Sequence, residues 1–346
     1  MNQVNLPVTF NALTIEKPGA PVTLQQKTIG SLNNDEVLIR ISYASINKMD
    51  PGLALTNGFN LPLPYVLGFD FSGEVVKLGG EAKDGLKEGD QVFGRISTGG
   101  CFAEYAVAKR ESVIKRGNIP APEASAFGIA YLTAYESLVV TGNIQQYKGR
   151  WIYVAGAAGG VGHFAAQIAK IYGLRVIGSA GKAASLELLQ KLKIDKVIDY
   201  SKQDVVREIM GITGNKGADL VYDSTYAQSS YNQSTAVIAS GGVYIRLGTE
   251  MQLNRYGVKD MRAVVEGRGA KMLIGDLGRY TMDPQYKSQV PKLTEALRQA
   301  GPWYEQGKLK PVITGTIKFD AAALQQAFDD FMKGKINVGK LVVKAG

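Results

Sequence analysis

Hydrophobic and polar positions follow different patterns in the two parts of the chain. Between residues 11 and 116, short apolar runs at 37–41 (VLIRI), 73–76 (GEVV) and 91–93 (QVF) are separated by Gly, Asp and Asn. Such runs between turn-forming residues predict β-strands. From residue 124 to 138, the apolar residues recur at helical spacing instead. We therefore predict a β-rich first part, followed by a change of architecture.

From Trp151 onward, short apolar runs alternate with helical patterns. The predicted strands are 151–155, 174–178, 196–200, 218–223 and 242–247, and the helices between them include 161–172, 183–192 and 203–210. This alternation is typical of a doubly wound parallel sheet. Near the carboxyl end, strands at 312–319 and 341–343 flank a helix at 321–332. The chain is thus expected to return to the β-rich domain.

Length and charge narrow the class of protein. A chain of 346 residues exceeds the usual size of a single core, so we expect two domains. The net charge of +9 comes from scattered Lys and Arg residues, a pattern typical of a solvated surface rather than a nucleic-acid footprint. No run reaches the ~18 apolar residues of a membrane span, and the first ten residues lack a targeting pattern. We therefore expect a cytosolic protein without a membrane partner.

A glycine-rich segment, residues 155–162 (AGAAGGVG), directly follows the predicted strand that starts at Trp151 and opens a helix. Glycines at such a turn let the backbone approach a pyrophosphate and let the helix pack closely on the strand. The helix N-terminus offers N–H groups and a positive dipole end to the phosphates. The context predicts a dinucleotide-binding site.

The residues after the second strand of this sheet indicate which dinucleotide binds. An NAD-selective site presents Asp or Glu there to the ribose 2′-hydroxyl, whereas this chain has Ser179 and Lys182. A hydroxyl and an ammonium suit a 2′-phosphate, so we predict NADPH as the cofactor. The alternative is that Lys182 is a solvated residue at the start of the next helix.

Motifs along the whole chain resemble those of the medium-chain dehydrogenase/reductase superfamily, and within it the zinc-free quinone oxidoreductase (ζ-crystallin-like) branch. The matching segments are 46–50 (INKMD), 67–73 (LGFDFSG), 103–105 (AEY), 132–135 (LTAY), the glycine-rich segment, 197–200 (VIDY), 221–224 (VYDS), 307–311 (GKLKP) and 339–342 (GKLV). The resemblance implies an α/β fold in which a Rossmann NADPH-binding domain, residues 125–309, is inserted into a β-rich GroES-like substrate domain, residues 1–124 and 310–346.

The positions of zinc ligands in this superfamily carry other residues here. Zinc alcohol dehydrogenases have a cysteine where this chain has Asn47 and a histidine where it has Phe69. The only histidine, His163, starts the first Rossmann helix, where we expect a packing or surface role, and the only cysteine is Cys101. One histidine and one distant cysteine cannot supply the three protein ligands of a catalytic zinc. We therefore predict no metal.

Without a Lewis acid, the substrate must accept hydride easily. A quinone or an α,β-unsaturated carbonyl compound does so, because the charge that develops is delocalised onto a distant oxygen. The sequence thus predicts an NADPH-dependent quinone or enone reductase. The main alternative is an alkenal, enone or enoyl double-bond reductase with the same cofactor. A different class, RNA binding or a crystallin-like structural role, also occurs among ζ-crystallin relatives.

The resemblance also implies roles for individual residues. Asn47 and Thr133 are the candidates for contact with substrate and nicotinamide. The implied cofactor-binding residues are Asn47, Lys48, Met49 and Thr133 at the nicotinamide; Ala158, Gly159, Gly160 and Val161 at the pyrophosphate; Ser179, Lys182 and Tyr200 at the 2′-phosphate; and Ser224, Gly248, Asn337, Gly339 and Lys340 at the nicotinamide ribose. Structural roles remain open for Thr133 as a helix cap, Tyr200 as a packing residue and Asn337 in a turn.

Three further expectations concern the proton donor, the substrate entrance and assembly. Gly52 and Phe59 occupy positions where relatives use a tyrosine, and Tyr65 is compatible with packing alone, so no general acid is assigned. Residues 225–234 and 251–269 are expected to shape the substrate entrance. Apolar runs at 242–247 and 271–275 would leave an exposed sheet edge, which favours a homodimer formed through the Rossmann sheet.

Overall fold

The computed structural model describes residues 8–80, 85–248, 253–254 and 257–345. The chain divides into two compact units, one formed by Met1–Ala130 with Ser288–Gly346 and the other by Tyr131–Lys287. The sequence placed the boundaries near residues 124 and 309. Residues 288–309 group with the first unit, where the Thr294 hydroxyl donates a hydrogen bond to the Glu111 carbonyl at 2.7 Å.

The strands are β1 (Thr9–Ile15), β2 (Thr23–Thr28), β3 (Glu36–Ser45), β4 (Tyr65–Val66), β5 (Asp70–Leu78), β6 (Gln91–Arg95), β7 (Tyr105–Lys109), β8 (Val113–Lys115), β9 (Trp151–Ala155), β10 (Arg175–Ala180), β11 (Lys196–Asp199), β12 (Ala218–Asp223), β13 (Ile238–Leu247), β14 (Lys271–Gly275), β15 (Ile313–Lys318) and β16 (Lys340–Lys344).

The α-helices are α1 (Met49–Thr56), α2 (Ala121–Ala124), α3 (Leu132–Tyr135), α4 (Gly162–Ile171), α5 (Ala183–Lys191), α6 (Val205–Ile212), α7 (Gln228–Ala236), α8 (Arg262–Gly267), α9 (Arg279–Met282), α10 (Val290–Glu305) and α11 (Ala321–Met332). Short 3₁₀ turns lie at Arg110–Ser112, Ile144–Tyr147 and Pro284–Gln289, and π-helical turns at Phe127–Tyr131 and Glu136–Thr141. Among the described residues, no helix combines the length and apolarity needed to cross a bilayer.

The first unit is built around β3, which joins the two ends of the chain. Its larger sheet has the order β15-β16-β3-β5-β6-β8, with β7 also paired to β3. The late strand β16 runs antiparallel to β3, with Val342 opposite Ser45. Buried residues of β3 and β5 form the core together with Leu324 and Phe328 of α11. The predicted return of the chain to the β-rich domain is therefore confirmed.

The second unit contains a six-stranded sheet in the order β11-β10-β9-β12-β13-β14, with every pairing parallel. Four of the five residues of β9 are buried, as expected for a strand covered on both faces. The strand order reverses between β9 and β12, and ligands of such folds bind at the carboxyl ends of the strands at this point. The predicted doubly wound sheet is confirmed.

Most predicted elements lie within two residues of their positions in the structure, and two of the differences have local causes. The helix predicted at 203–210 begins at Val205, because the Asp204 side chain accepts a hydrogen bond from the Arg207 N–H at 2.7 Å and caps the helix. Strand β13 begins at Ile238 rather than Gly242, because its register with β12 shifts between the pairs Ala218–Ile238 and Leu220–Val243, so the strand bulges and continues past two glycines.

Candidate active site

The glycine-rich turn lies between β9 and α4, at the carboxyl edge of the parallel sheet. Gly156 adopts φ +74°, a left-handed conformation that favours glycine. A Cβ atom at Gly162 would lie 2.0 Å from the Gly156 carbonyl oxygen, so the helix can start this close to the turn only because residue 162 lacks a side chain. Gly159, Gly160 and Val161 are partly exposed just before the helix, and Ala158 is buried. The turn therefore fits a dinucleotide pyrophosphate.

The ends of β12 and β13 bring two more predicted cofactor residues to the same edge of this sheet. The Ser224 hydroxyl donates to the Ala155 carbonyl at 3.2 Å and lies beside the position that a Cβ of Gly156 would occupy. Gly248 follows β13 at φ +87°, and its N–H donates to the Gly275 carbonyl at 3.1 Å. Ser224 therefore borders the switch point of the strand order, and Gly248 lies one strand further along the same edge.

The ends of β10 and β11 carry the residues predicted at the 2′-phosphate. Lys182 is exposed, and Tyr200, which is 56% exposed, lies over Gly181, where a Cβ would come within 2.1 Å of the tyrosine ring. Ser179 is arranged differently, because it is buried and its Oγ lies 2.9 Å from the Tyr153 hydroxyl. An ammonium and an aromatic ring thus border this edge, while the serine hydroxyl has a protein partner.

Asn47 belongs to a buried polar cluster in the first unit. Its Nδ2 donates to Oδ2 of Asp70 at 2.9 Å, and its Oδ1 accepts a hydrogen bond from Nζ of Lys340. Asp70 also accepts hydrogen bonds from the Ser45 hydroxyl at 2.7 Å and from the Ile129 N–H at 2.6 Å. Both ends of the Asn47 carboxamide are therefore held by charged side chains.

Asp50 in the first turn of α1 completes this cluster. One carboxylate oxygen accepts the Asn47 N–H at 2.6 Å, and the other accepts the Gly68 N–H at 3.3 Å. Burial raises the pKa of Asp50 to about 7, the Asn47 hydrogen bond and the Lys340 charge lower it, and the Asp70 charge raises it. Burial also raises the pKa of Asp70 and lowers that of Lys340, whose Nζ lies 3.7 Å from Asp70 Oδ2.

The sequence motifs contained Asn47 and the three charged members of this cluster but did not show that they contact one another. Asp50 and Asp70 lie in the segments INKMD and LGFDFSG, and Lys340 was assigned to the nicotinamide ribose instead. In the structure, Lys340 is 2% exposed, so its ammonium lies inside the cluster. Only the pairing of β16 with β3, which joins distant parts of the chain, brings Lys340 beside Asn47. A signal in the sequence could have indicated the cluster: Asp50 and Asp70 both stand beside apolar residues, and a carboxylate buried among such residues needs polar partners.

Phe69, at one of the expected zinc-ligand positions, and the only cysteine, Cys101, both lie in the interior of the first unit. Phe69 is buried and packs edge-on against Phe59 at 6.3 Å between ring centroids. Cys101 is buried as well, and burial raises the pKa of its thiol well above the usual value. Within the described ranges, no group of three or more His, Cys, Asp or Glu side chains lies together as metal ligands do.

His163 and Tyr65 serve packing and hydrogen bonding in the structure. His163 is buried in the first turn of α4, and its Nδ1 lies 2.9 Å from the Gly159 carbonyl. The Tyr65 hydroxyl donates to the Leu53 carbonyl at 2.7 Å inside the first unit. These positions agree with a packing role for both.

The other predicted residues occupy varied environments within their own units. Thr133, on α3 of the second unit, is half-buried. In the first unit, Lys48 and Asn337 are exposed, Met49 packs on the core, and Gly339 adopts φ +54° directly before β16. Of the expected entrance segment 251–269, residues 251, 252, 255 and 256 lie outside the described residues.

Comparisons with known proteins agree with this architecture. Residues 33–121 match the family model of the alcohol dehydrogenase GroES-like domain, and residues 160–277 match that of the zinc-binding dehydrogenases. A 2-methylene-furan-3-one reductase from Solanum lycopersicum is 31% identical over 98% of this chain and 80% of its own. An NADPH-dependent alkenal/one oxidoreductase from Arabidopsis thaliana is 29% identical over 91% of this chain and 73% of its own.

Among solved structures, the quinone oxidoreductase from Coxiella burnetii superimposes with a TM-score of 0.78 at 25% identity, covering 97% of this chain and 99% of that one. The same assignment follows from the structure and from these relatives. The structural features that support it are the order of the parallel sheet, the glycine-rich turn and the β-rich unit formed by both ends of the chain. The chain is an oxidoreductase and belongs to the medium-chain dehydrogenase/reductase superfamily.

Proposed function

We propose that the protein is an NADPH-dependent reductase that transfers hydride to a quinone or an α,β-unsaturated carbonyl compound without a metal ion. The observation that carries this proposal is the edge of the parallel sheet: a glycine-rich turn at the switch point, with Lys182 rather than an acid after β10. The names of the tomato, Arabidopsis and Coxiella relatives support this substrate class.

The residues of the second unit would hold the cofactor along that edge. Residues 158–161 offer a turn and a helix N-terminus to the pyrophosphate, and Lys182 and Tyr200 lie where the 2′-phosphate is expected. When bound, the cofactor supplies a hydride from its nicotinamide C4 to the substrate. Ser224 and Gly248 border the nicotinamide ribose in this proposal. The exposed ammonium of Lys182 provides the selectivity for NADPH over NADH.

Asn47 acts as a positioning residue in this proposal. Because Lys340 and Asp70 hold its carboxamide, it fixes the connection between β3 and α1. In metal-containing relatives, a cysteine at this position binds zinc, whereas an amide cannot supply a thiolate ligand. We therefore assign substrate activation to hydrogen bonding rather than to a Lewis acid.

Two alternatives lead to different measurements. A reductase specific for the carbon–carbon double bonds of alkenals or enoyl groups would share the cofactor site, and the Arabidopsis relative supports it. An RNA-binding or crystallin-like role would rest on the +9 net charge. The cytosolic location stays a prediction, which fractionation of cells that express the protein would test.

The decisive experiment compares acceptors and cofactors with the purified protein. We expect turnover of 1,4-benzoquinone or a 2-alkenal with NADPH, with a higher kcat/KM than with NADH and no loss in EDTA. The ratio between the two acceptors separates quinone reduction from double-bond reduction. Salt-dependent RNA binding without turnover of either acceptor would favour the binding class. One tightly bound zinc per chain, with activity lost on chelation, would overturn the metal-free proposal.

A further inference from the structure

Arg246, near the carboxyl end of β13, is a buried cation without a protein partner. It has the largest side chain among the fully buried residues and is 0% exposed. Its Nε, Nη1 and Nη2 atoms are buried and make no hydrogen bond to any residue that the structure describes. A guanidinium stays charged at any pH a protein tolerates, and burying such a charge without a partner is strongly unfavourable. A buried arginine at this position therefore calls for an anion.

The carboxylate nearest along the sheet is already committed to other donors. Asp223 of β12 is the register partner of Arg246. Its Oδ1 accepts the N–H and the hydroxyl of Thr225 at 2.9 and 2.7 Å, and its Oδ2 accepts the hydroxyls of Ser230 and Ser234 at 2.9 and 2.8 Å. These four hydrogen bonds satisfy Asp223 without the guanidinium.

A tyrosine hydroxyl that interacts electrostatically with Arg246 also lacks an acceptor. The Tyr231 hydroxyl, on α7, is buried and makes no hydrogen bond to the described part of the chain. Burial and the charge of Asp223 raise the pKa of Tyr231, and the positive charge of Arg246 acts against them, so these groups share one environment. The ring of Tyr231 packs against Leu253 and Val258, which shield this environment.

These groups form a donor set without an acceptor. A guanidinium presents a planar fork of N–H groups that matches the two oxygens of a carboxylate or phosphate, and the tyrosine adds an O–H donor. The set lies in the second unit near the carboxyl ends of β12 and β13, the edge at which ligands of doubly wound sheets bind. Its chemistry suits an oxyanion and disfavours a neutral or cationic ligand.

We propose that Arg246 and Tyr231 form a buried binding site for the carboxylate or phosphate group of a small molecule. Its residues are distinct from the glycine-rich turn and from Lys182, and the proposal rests on the fold rather than on the proposed reductase activity. The anion is supplied in one of two ways, as a phosphate of the dinucleotide or as an acidic group of another small molecule.

Thermal unfolding of the full chain in matched salts tests this site without measuring turnover. An anion that binds only the folded state raises Tm with its concentration. We expect sodium phosphate or sodium acetate to raise the Tm of the wild type above its value in sodium chloride of equal ionic strength. Arg246→Met should abolish this rise, because methionine fills similar space without charge. Arg268→Met removes an exposed arginine of the same unit and should leave the rise unchanged.

A milder variant keeps the test valid if Arg246→Met fails to fold. Tyr231→Phe removes only the hydroxyl, and losing one hydrogen bond to an anion should raise the half-saturating anion concentration roughly tenfold. If NADPH competes with phosphate for this response, the cofactor supplies the anion. If NADPH and phosphate act independently, another acidic molecule does.

Two results would overturn the proposal. One is that phosphate and acetate raise Tm equally in the wild type and in the Arg246 and Tyr231 variants, or raise it in none of them. The other is an anion response that appears only in Glu250→Gln. That result would identify Glu250, which lies outside the described residues, as an internal partner of Arg246 and would leave no place for an external ligand.

Discussion

At the scale of single residues, Lys182 is predicted to determine the choice of cofactor. Its ammonium is exposed at the end of β10, and the neighbouring Tyr200 ring is exposed as well. Removing a charge-assisted contact with Lys182→Ala should weaken NADPH roughly 10- to 100-fold, while NADH, which has no 2′-phosphate, should change little. The measurement is kcat/KM for both cofactors with one quinone acceptor.

Lys216 offers a matched control for this variant. It is also an exposed lysine of the second unit, but it precedes β12 and so lies at the opposite edge of the parallel sheet. Lys216→Ala removes the same charge far from the cofactor edge of the sheet, so it should leave kcat/KM for NADPH and for NADH unchanged. Equal losses with NADPH and NADH in Lys182→Ala would show that this lysine supports the fold and does not recognise the phosphate.

Asp50 is predicted to make stability depend on pH. Burial raises its pKa from 3.8 to about 7, so the folded protein keeps a proton that the unfolded chain has lost between these values. The stabilising contribution is therefore fully present below the pKa that Asp50 has in the unfolded chain, and it is lost as the pH rises through the pKa that Asp50 has in the folded protein. Between these two values the free energy of unfolding falls by at most ~1.4 kcal/mol per pH unit. Asp50→Asn keeps an acceptor for the Asn47 N–H and should remove this slope.

Urea unfolding between pH 3.8 and about 7, the two pKa values of Asp50, measures how the free energy of unfolding depends on pH. Asp70 and Lys340 face Asp50 and titrate with it, so the informative quantity is the difference in slope between the wild type and Asp50→Asn. We expect the free energy of unfolding of the wild type to fall more steeply with rising pH. Parallel curves would mean that Asp50 is already ionised in the folded protein below neutral pH.

Sequence reasoning at this scale found positions but not partners. Ser179 was expected to point at a phosphate, yet its hydroxyl meets that of Tyr153 on the neighbouring strand. Lys340 was expected at a ribose, yet it enters the Asn47 cluster. In both cases the partner lies on another strand, and the register between strands is not encoded in the local motif.

At the scale of elements, the glycine-rich turn separates a structural glycine from one predicted to bind cofactor. A Cβ at Gly162 would lie 2.0 Å from the Gly156 carbonyl, so Gly162→Ala must shift α4 and should destabilise the fold by about 1–3 kcal/mol. Gly159 is partly exposed and lacks the positive φ of Gly156, so Gly159→Val should fold normally. Its branched side chain should instead block the pyrophosphate and nearly abolish NADPH binding.

Fluorescence titration with NADPH and urea unfolding of both variants measure these two effects separately. We expect Gly159→Val to lose affinity with an unchanged free energy of unfolding, and Gly162→Ala to lose stability. Unchanged NADPH affinity in Gly159→Val would mean that the turn serves packing alone.

Element positions were well predicted where apolar runs end at polar residues. Strands β9 and β12 and helix α11 have the predicted bounds, because each element changes directly from buried to turn-forming or capping residues. The start of α6 was less accurate, because capping by Asp204 depends on side-chain geometry that periodicity does not contain. The same holds for β13, whose start depends on a register shift in its pairing with β12.

At the scale of the whole molecule, the sequence predicted that both ends of the chain build one unit, and the pairing of β16 with β3 confirms it. The place where one unit gives way to the other was harder to locate. Helix α10 has an ordinary amphipathic pattern, and a contact such as that of Thr294 with Glu111, 183 positions away along the chain, groups it with the first unit.

The outer edge of β14 is the basis for predicting a homodimer. Among the described residues, β14 is one edge strand of the six-stranded sheet, and Leu273 and Ile274 are partly exposed on it. An edge of this kind can pair with the same strand of a second copy about a twofold axis. Light scattering at micromolar concentration should therefore give twice the monomer mass of 37.2 kDa.

Arg279 allows a sharper test of how the two copies would pair. The Gly275 carbonyl points towards β13, because it accepts a hydrogen bond from the Gly248 N–H. Successive carbonyls of a strand point to opposite sides, so the Ile274 carbonyl points outward. Nη2 of Arg279 donates a hydrogen bond to this outward carbonyl at 2.6 Å. If the dimer forms by extending the sheet across β14, Arg279→Ala frees an outward carbonyl for the partner strand and should strengthen association. Dilution of both proteins in a light-scattering series measures this. A monomer mass for the wild type would show that this edge is protected against pairing rather than used for it. The same conclusion would follow if the Arg279→Ala dimer dissociated more readily on dilution than the wild-type dimer.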